Sequence, residues 1–239
     1  VSSAKDSIRY YFENAKGDLS YKFSERAFRL SLGKQKDSLF PKIITMFGIQ
    51  AYRKKDLIGL NDAKQELIDL YNIRKDSVLL AKYYHYHALS FRLNYQKDST
   101  YYYYYQSKNI SLLLNDSLEV GKRLLSMGYM QDAEADYVGA QNTLVDALTY
   151  LEPQGKALFI GDTYNALGNT LCNLGSYNEA RDYYLKAKKV FENSDNKKRK
   201  IRWKLITLNN IGNTYLLEKK PEKAISSLKG NSTNLFLET

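Results

Sequence analysis

Residues 161–193 read GDTYNALGNTLCNLGSYNEARDYYLKAKKVFEN, and two helical periods separated by one break are legible in them. Tyr164, Leu167, Gly168 and Leu171 recur at three- and four-residue steps, which places them on one face of a helix. Gly175-Ser176-Tyr177 interrupts that helix, and Ala180, Tyr184 and Ala187 form the inward stripe of a second one. The stretch therefore predicts an antiparallel helix pair. Gly168 and Ala180 suit such a pair, because two helix axes approach closely only where a side chain is small or absent.

The same order recurs along the chain. A shift of about 40 residues toward the N-terminus gives Leu124, Met127 and Gly128, then Tyr137, Ala140, Leu144 and Ala147. Another gives Tyr84, His87, Ala88 and Phe91, then Thr100, Tyr104 and Ser107. The next gives Ile44, Phe47, Gly48 and Ala51, with a second helix around Asp62 to Tyr71 whose register is not fixed by the pattern. A first unit aligns through Tyr11, Ser20, Ser24 and Ala27, and a last one through Leu208, Ile211, Gly212, Tyr215, Pro221, Ala224 and Leu228. Asp37-Ser38, Asp76-Ser77 and Asp116-Ser117 stand ahead of new apolar periods, where a short oxygen-bearing side chain caps a helix N-terminus. The expected architecture is all-α: one array of about six antiparallel helix pairs wound as a right-handed superhelical solenoid. Its units span approximately 1–40, 41–80, 81–120, 121–160, 161–204 and 205–239. Gly48, Ala88, Gly128, Ala140, Gly168, Ala180, Gly212 and Ala224 are the expected packing positions.

Composition agrees with a folded helical chain. Of 239 residues, 44% are hydrophobic and 26% charged, with 3 prolines and 22 tyrosines. One cysteine, Cys172, excludes an intrachain disulfide and leaves the compartment open. No apolar run approaches the roughly 20 residues that cross a bilayer. The start, Val1-Ser2-Ser3, lacks an initiator methionine, which leads us to expect that something upstream is removed. The net charge of +10 favours acidic partners.

The order Tyr164, Leu167-Gly168, Leu171, Gly175, Tyr177, Ala180, Tyr184, Ala187 resembles the tetratricopeptide repeat, and the Leu208 to Leu228 unit repeats it with Pro221 opening the second helix. The resemblance is clearest in the last three units. A period of about 40 exceeds the family's usual 34, which implies longer helices or longer loops. The long period is similar to arrays of Bacteroidetes-type signalling proteins, where the array is a sensory or interaction part joined to a transmembrane segment and an output domain. That resemblance implies a non-catalytic module that binds a protein or a peptide, with a periplasmic sensory region preferred slightly over a cytoplasmic one. A structural scaffold or homo-oligomerisation module is the alternative reading.

Candidate site residues follow from the same register. Asn165 and Asn169 are four apart, Asn209 and Asn213 repeat that spacing, and Asn173 and Asn210 stand beside them. The resemblance implies that asparagines at these places grip the backbone of an extended peptide, since an amide both donates and accepts. Stitching of adjacent helices is the competing reading. Lys5, Arg9, Lys42, Lys82, His85, Arg92 and Lys122 fall on the first-helix face of earlier units, a basic strip that suits acidic side chains or a terminal carboxylate. Lys197–Lys200 with Arg202 and Trp203 invites a nucleic-acid reading, but one short cluster without a recognisable motif points instead to a solvated helix extension with Trp203 packed inward. Tyr101 to Tyr105 covers more than a helical turn, so only some rings face inward; Tyr104 and Tyr101 are the expected packers. His85 and His87 are two apart and so on different faces, which gives no metal site. Neither a phosphate loop nor a nucleophile pattern nor a cofactor fingerprint is present, so no cofactor and no catalysis are expected.

Overall fold

The structure, a computed structural model, describes residues 17–192 and 197–227, and among these no strand occurs. The chain divides into two compact units, one running to Asn115 and one from Asp116. In the first unit α1 (Gly17–Ser31), α2 (Phe40–Arg53), α3 (Leu57–Arg74), α4 (Ser77–Leu93) and α5 (Lys97–Leu113) each pack on the next, and α2 also meets α4. The second unit holds α6 (Ser117–Ala133), α7 (Tyr137–Leu151), a short 3-10 turn at Glu152–Gln154, α8 (Ala157–Asn173), α9 (Tyr177–Glu192) and α10 (Lys197–Leu217). Residues 221–227 are helical as well. There, too, successive helices pack, and α6 meets α8 as α8 meets α10. This is an all-α repeat fold.

The turns explain the period. Lys55, Lys75, Tyr95, Asn115, Ala135, Gly155 and Gly175 all have φ between 53° and 79°, and they recur every 20 residues. Each ends a helix in the left-handed region, where only glycine and, to a lesser degree, asparagine are at ease. The residue that follows each of them starts the next helix. Asp56, Asp76, Asp116 and Asp136 occupy that place, and their carboxylates accept from the amides of Gly59, Val78, Glu119 and Gly139 at 3.0, 2.9, 3.1 and 3.0 Å. Gln96 and Lys156 stand at the same position without a side-chain cap. From Asp56 to Leu151 the connections are two or three residues long, so the length beyond the usual repeat lies in the helices and not in the loops.

The close approach within pairs is equally periodic. A Cβ added at Gly128 would lie 2.6 Å from Leu144 Cδ2, and one at Gly121 would lie 2.7 Å from Leu151 Cδ2. Forty residues on, Gly168 faces Tyr184 Cδ1 at 2.6 Å and Gly161 faces Phe191 Cε1 at 2.9 Å. In both pairs the glycines are two helical turns apart, and their large partners are two turns apart in the opposite direction, the register of antiparallel helices. Gly48 differs: a Cβ there would lie 2.7 Å from Tyr86 Cε2, on the first helix of the next pair, and 3.3 Å from Ala63 Cβ within its own pair. Ala88, Ala140, Ala180 and Ala224 are buried, as is Gly212. The second unit's core is Leu125, Leu144, Leu148, Ala166 and Leu167, continued by Val120, Leu124, Ala147 and Leu151 on one side and by Leu171, Ala180, Tyr184 and Ile211 on the other. In α1 the inward residues are Ser20, Ser24, Phe28 and Ser31, while Ala27 is half-buried; Tyr11 lies outside the described residues.

Candidate interaction site

The asparagines converge between α8 and α10 of the second unit. Asn165 is buried and Asn169 half-buried, because α10 crosses α8 at this level. Asn210 Nδ2 donates to Asn165 Oδ1 at 2.9 Å and approaches Asn169 Oδ1 at 3.5 Å, while the Tyr184 hydroxyl donates to Asn169 Oδ1 at 2.8 Å. Burial first, then the nearby Cys172 and Asp132, push the Tyr184 phenol far above its ordinary range, so it remains a donor. The structure thus joins Asn165, Asn169 and Asn210 in one amide cluster. Asn209 and Asn213, one helical turn apart on α10, are exposed, as is Asn173 at the end of α8.

Polar residues that the sequence reading did not single out brace this region. Asp132 on α6 accepts from Thr170 Oγ1 at 2.8 Å and from Asn173 Nδ2 at 3.3 Å, which ties α6 to α8. Arg181 on α9 donates to Thr214 Oγ1 at 3.0 Å and Glu218 Oε2 at 2.8 Å, and its guanidinium lies 4.3 Å from the Tyr215 ring. That bond holds the Glu218 carboxyl below its usual range. Burial raises the Cys172 thiol, so it stays protonated and apolar. The partners that tie these residues to other helices, Thr170 and Asn173 for Asp132 and Thr214 and Glu218 for Arg181, lie more than thirty residues away and carry no local sequence signal, although Arg181 also donates to Asn178 on its own helix.

The basic candidates fall in both units. Lys122 pairs with Glu119 and lies 5.1 Å from the Phe159 ring, and Arg123, buried on the same helix, also donates to Glu119 at 3.1 Å. Burial lowers the Arg123 guanidinium to about 9. Lys42, Lys82, His85 and Arg92 belong to the first unit. Lys42 and Arg92 are exposed, Lys82 is half-buried, and the His85 ring lies 5.4 Å from that of Tyr86 and 5.8 Å from that of Tyr104. Lys5 and Arg9 lie outside the described residues, as do the side chains of Lys197–Lys200. Trp203 stacks on Phe191 at 4.2 Å. Of the tyrosine run, Tyr104 is buried, while Tyr101, Tyr102 and Tyr105 are exposed, so Tyr101 is not a core residue. Among the described residues no helix is long and apolar enough to cross a membrane, and no group of three or more His, Cys, Asp or Glu could hold a metal.

Residues 159–229, the pairs that carry this cluster, match the tetratricopeptide repeat family profile. These residues form tetratricopeptide repeats. Solved structures similar in fold include a BtubC protein from P. vanneervenii, 16% identical, with a TM-score of 0.68 over 86% of this chain and 84% of that one. A Rap protein complexed with Competence and Sporulation Factor is 17% identical, with a TM-score of 0.68 over 94% of this chain and 61% of its own. A signal-transduction ATPase of the STAND class with a tetratricopeptide repeat sensor, from Pyrococcus horikoshii, is 15% identical, with a TM-score of 0.69 over 95% of this chain and 34% of its own. The chain thus spans less than two thirds of the Rap protein and about a third of the ATPase. No sequence among curated proteins matches the chain. At these identities the likeness is one of fold, and the tetratricopeptide fold is typically a non-catalytic interaction module.

Proposed function

We propose that this tetratricopeptide array is a protein- or peptide-binding module, the sensory or interaction region of a signal-transduction or regulatory protein. One observation carries the reading: α10 presents Asn209 and Asn213 exposed, at the repeat positions where α8 has Asn165 and Asn169 in bonds to Asn210 and Tyr184. Two free amides, each with donor and acceptor and with Asn173 exposed on the neighbouring helix, suit the alternating N–H and C=O groups of an extended peptide. The net charge of +10 favours an acidic ligand. The fold shared with a Rap protein that was solved in complex with Competence and Sporulation Factor supports a binding role.

The test uses a peptide selected from a random displayed library against the full chain. The double change Asn209→Ala and Asn213→Ala replaces exposed side chains and should leave the helical signal intact. Loss of about tenfold or more in affinity by calorimetry is expected, from two hydrogen bonds of about 1 kcal/mol each. Unchanged affinity removes these residues from the site. A stable oligomer in light scattering, with no peptide selected, would favour the scaffold reading instead.

A further inference from the structure

His87 on α4 stands where α6 has Met127 and α8 has Leu167, each forty residues further on. Those two residues are 3% and 0% exposed, so the fold uses this position for an apolar core side chain. In the first unit a half-buried imidazole occupies it. Its ring lies 4.1 Å from Tyr103, 5.0 Å from Phe91 and 5.3 Å from Tyr83, centre to centre. Nδ1 is buried without a hydrogen-bond partner. From α3 the charged group nearest in effect is Lys64, a cation bonded to Asn61 Oδ1 at 3.0 Å; from α4 and α5 the titratable neighbours are the neutral phenols of Tyr83 and Tyr103. Among the described ion pairs and hydrogen bonds none brings a carboxylate to this ring.

A neutral imidazole satisfies such a site with one N–H; an imidazolium has two, and Nδ1–H would find no acceptor. We propose that His87 is an acid-sensitive element of the first unit: protonation of its ring loosens the packing of α4 on α3 and α5, whereas the second unit, with Met127 and Leu167 at the equivalent places, has no such response. The aromatic faces return part of the cost through cation–π attraction, which is less than burial of an unpaired charge beside a second cation. Burial, and then Lys64, lower the His87 ring from 6.5 to about 4. The folded state therefore binds this proton less readily than the unfolded chain. Its contribution to stability is complete above pH 6.5 and is lost progressively as the pH falls toward 4.

Hydrogen exchange on the full chain at pH 7 and pH 4.5, corrected for intrinsic rates, tests this. Opening of 77–113 should rise on acidification at least about tenfold more in the wild type than in His87→Leu, the screened remainder of a shift of this size. Amides of 117–173 should show the same ratio in both proteins. Carboxylates titrate in both, so the difference isolates the imidazole, with His85 unchanged. His87→Met, which copies Met127, serves if the leucine variant fails to fold. The ring itself, followed by NMR in the wild type, should titrate below 5. A midpoint near 6.5, or equal acid responses of wild type and variant in 77–113, would overturn the proposal.

Discussion

Replacing Gly168 by alanine tests the close approach that sets the repeat. In an open helix the change stabilises by about 1 kcal/mol, because glycine is the poorer helix former. Here the new methyl would lie 2.6 Å from Tyr184 Cδ1 and 2.9 Å from Tyr184 Cζ. The ring is 2% exposed and its hydroxyl is fixed to Asn169 Oδ1 at 2.8 Å, so it cannot turn aside without losing that bond. Overpacking of this kind costs about 1–3 kcal/mol, and the broken hydrogen bond about 1 kcal/mol more. Set against the propensity gain, the expected result is a net destabilisation of about 1–3 kcal/mol. Urea unfolding followed by circular dichroism reads it, with hydrogen exchange in α8 and α9 as a local check, since repeat arrays can unfold in parts. In a Tyr184→Leu background, which copies Leu144 of the preceding pair, the same Gly168→Ala change should cost less, by at least about 1 kcal/mol, because a leucine can change rotamer. A stabilised single variant, or an identical penalty in both backgrounds, would refute the argument that ring contact is what excludes the methyl.

Two further changes exploit the twenty-residue rhythm of the turns. Lys156→Asp, at the place where Asp116 and Asp136 cap their helices, should raise stability by about 1 kcal/mol, read as a shift of the urea midpoint; no shift would mean that the cap geometry is not shared. Ala135→Gly, at φ 61°, should stabilise by about 0.5–1 kcal/mol, because the left-handed strain relieved exceeds the added chain entropy. A loss of stability there would show that the alanine methyl makes a contact worth more than the strain.

Periodicity encodes the face a residue buries, and that is a local property of the chain. For this reason the helix pairs, the spacing of forty and the small positions Gly128, Ala140, Gly168 and Ala180 are legible before any coordinates. Gly121 and Gly161 were open to the same reasoning, since the forty-residue shift superposes them. The left-handed turns were less so: Lys55, Lys75, Tyr95 and Ala135 give no hint of positive φ, because the helices on either side impose the conformation and the residue tolerates it.

Only the tertiary structure decides what the polar side chains do. Asn165 and Asn209 look alike in sequence, yet one is buried beside Asn210 and the other faces outward, because a helix crosses the first and no described helix crosses the second in the same way. His87 is likewise one member of an apolar stripe by spacing, and becomes a half-buried titratable group packed against rings brought in from α5. Side-chain pairing depends on rotamer and on the crossing of elements tens of residues apart, and a linear pattern carries neither.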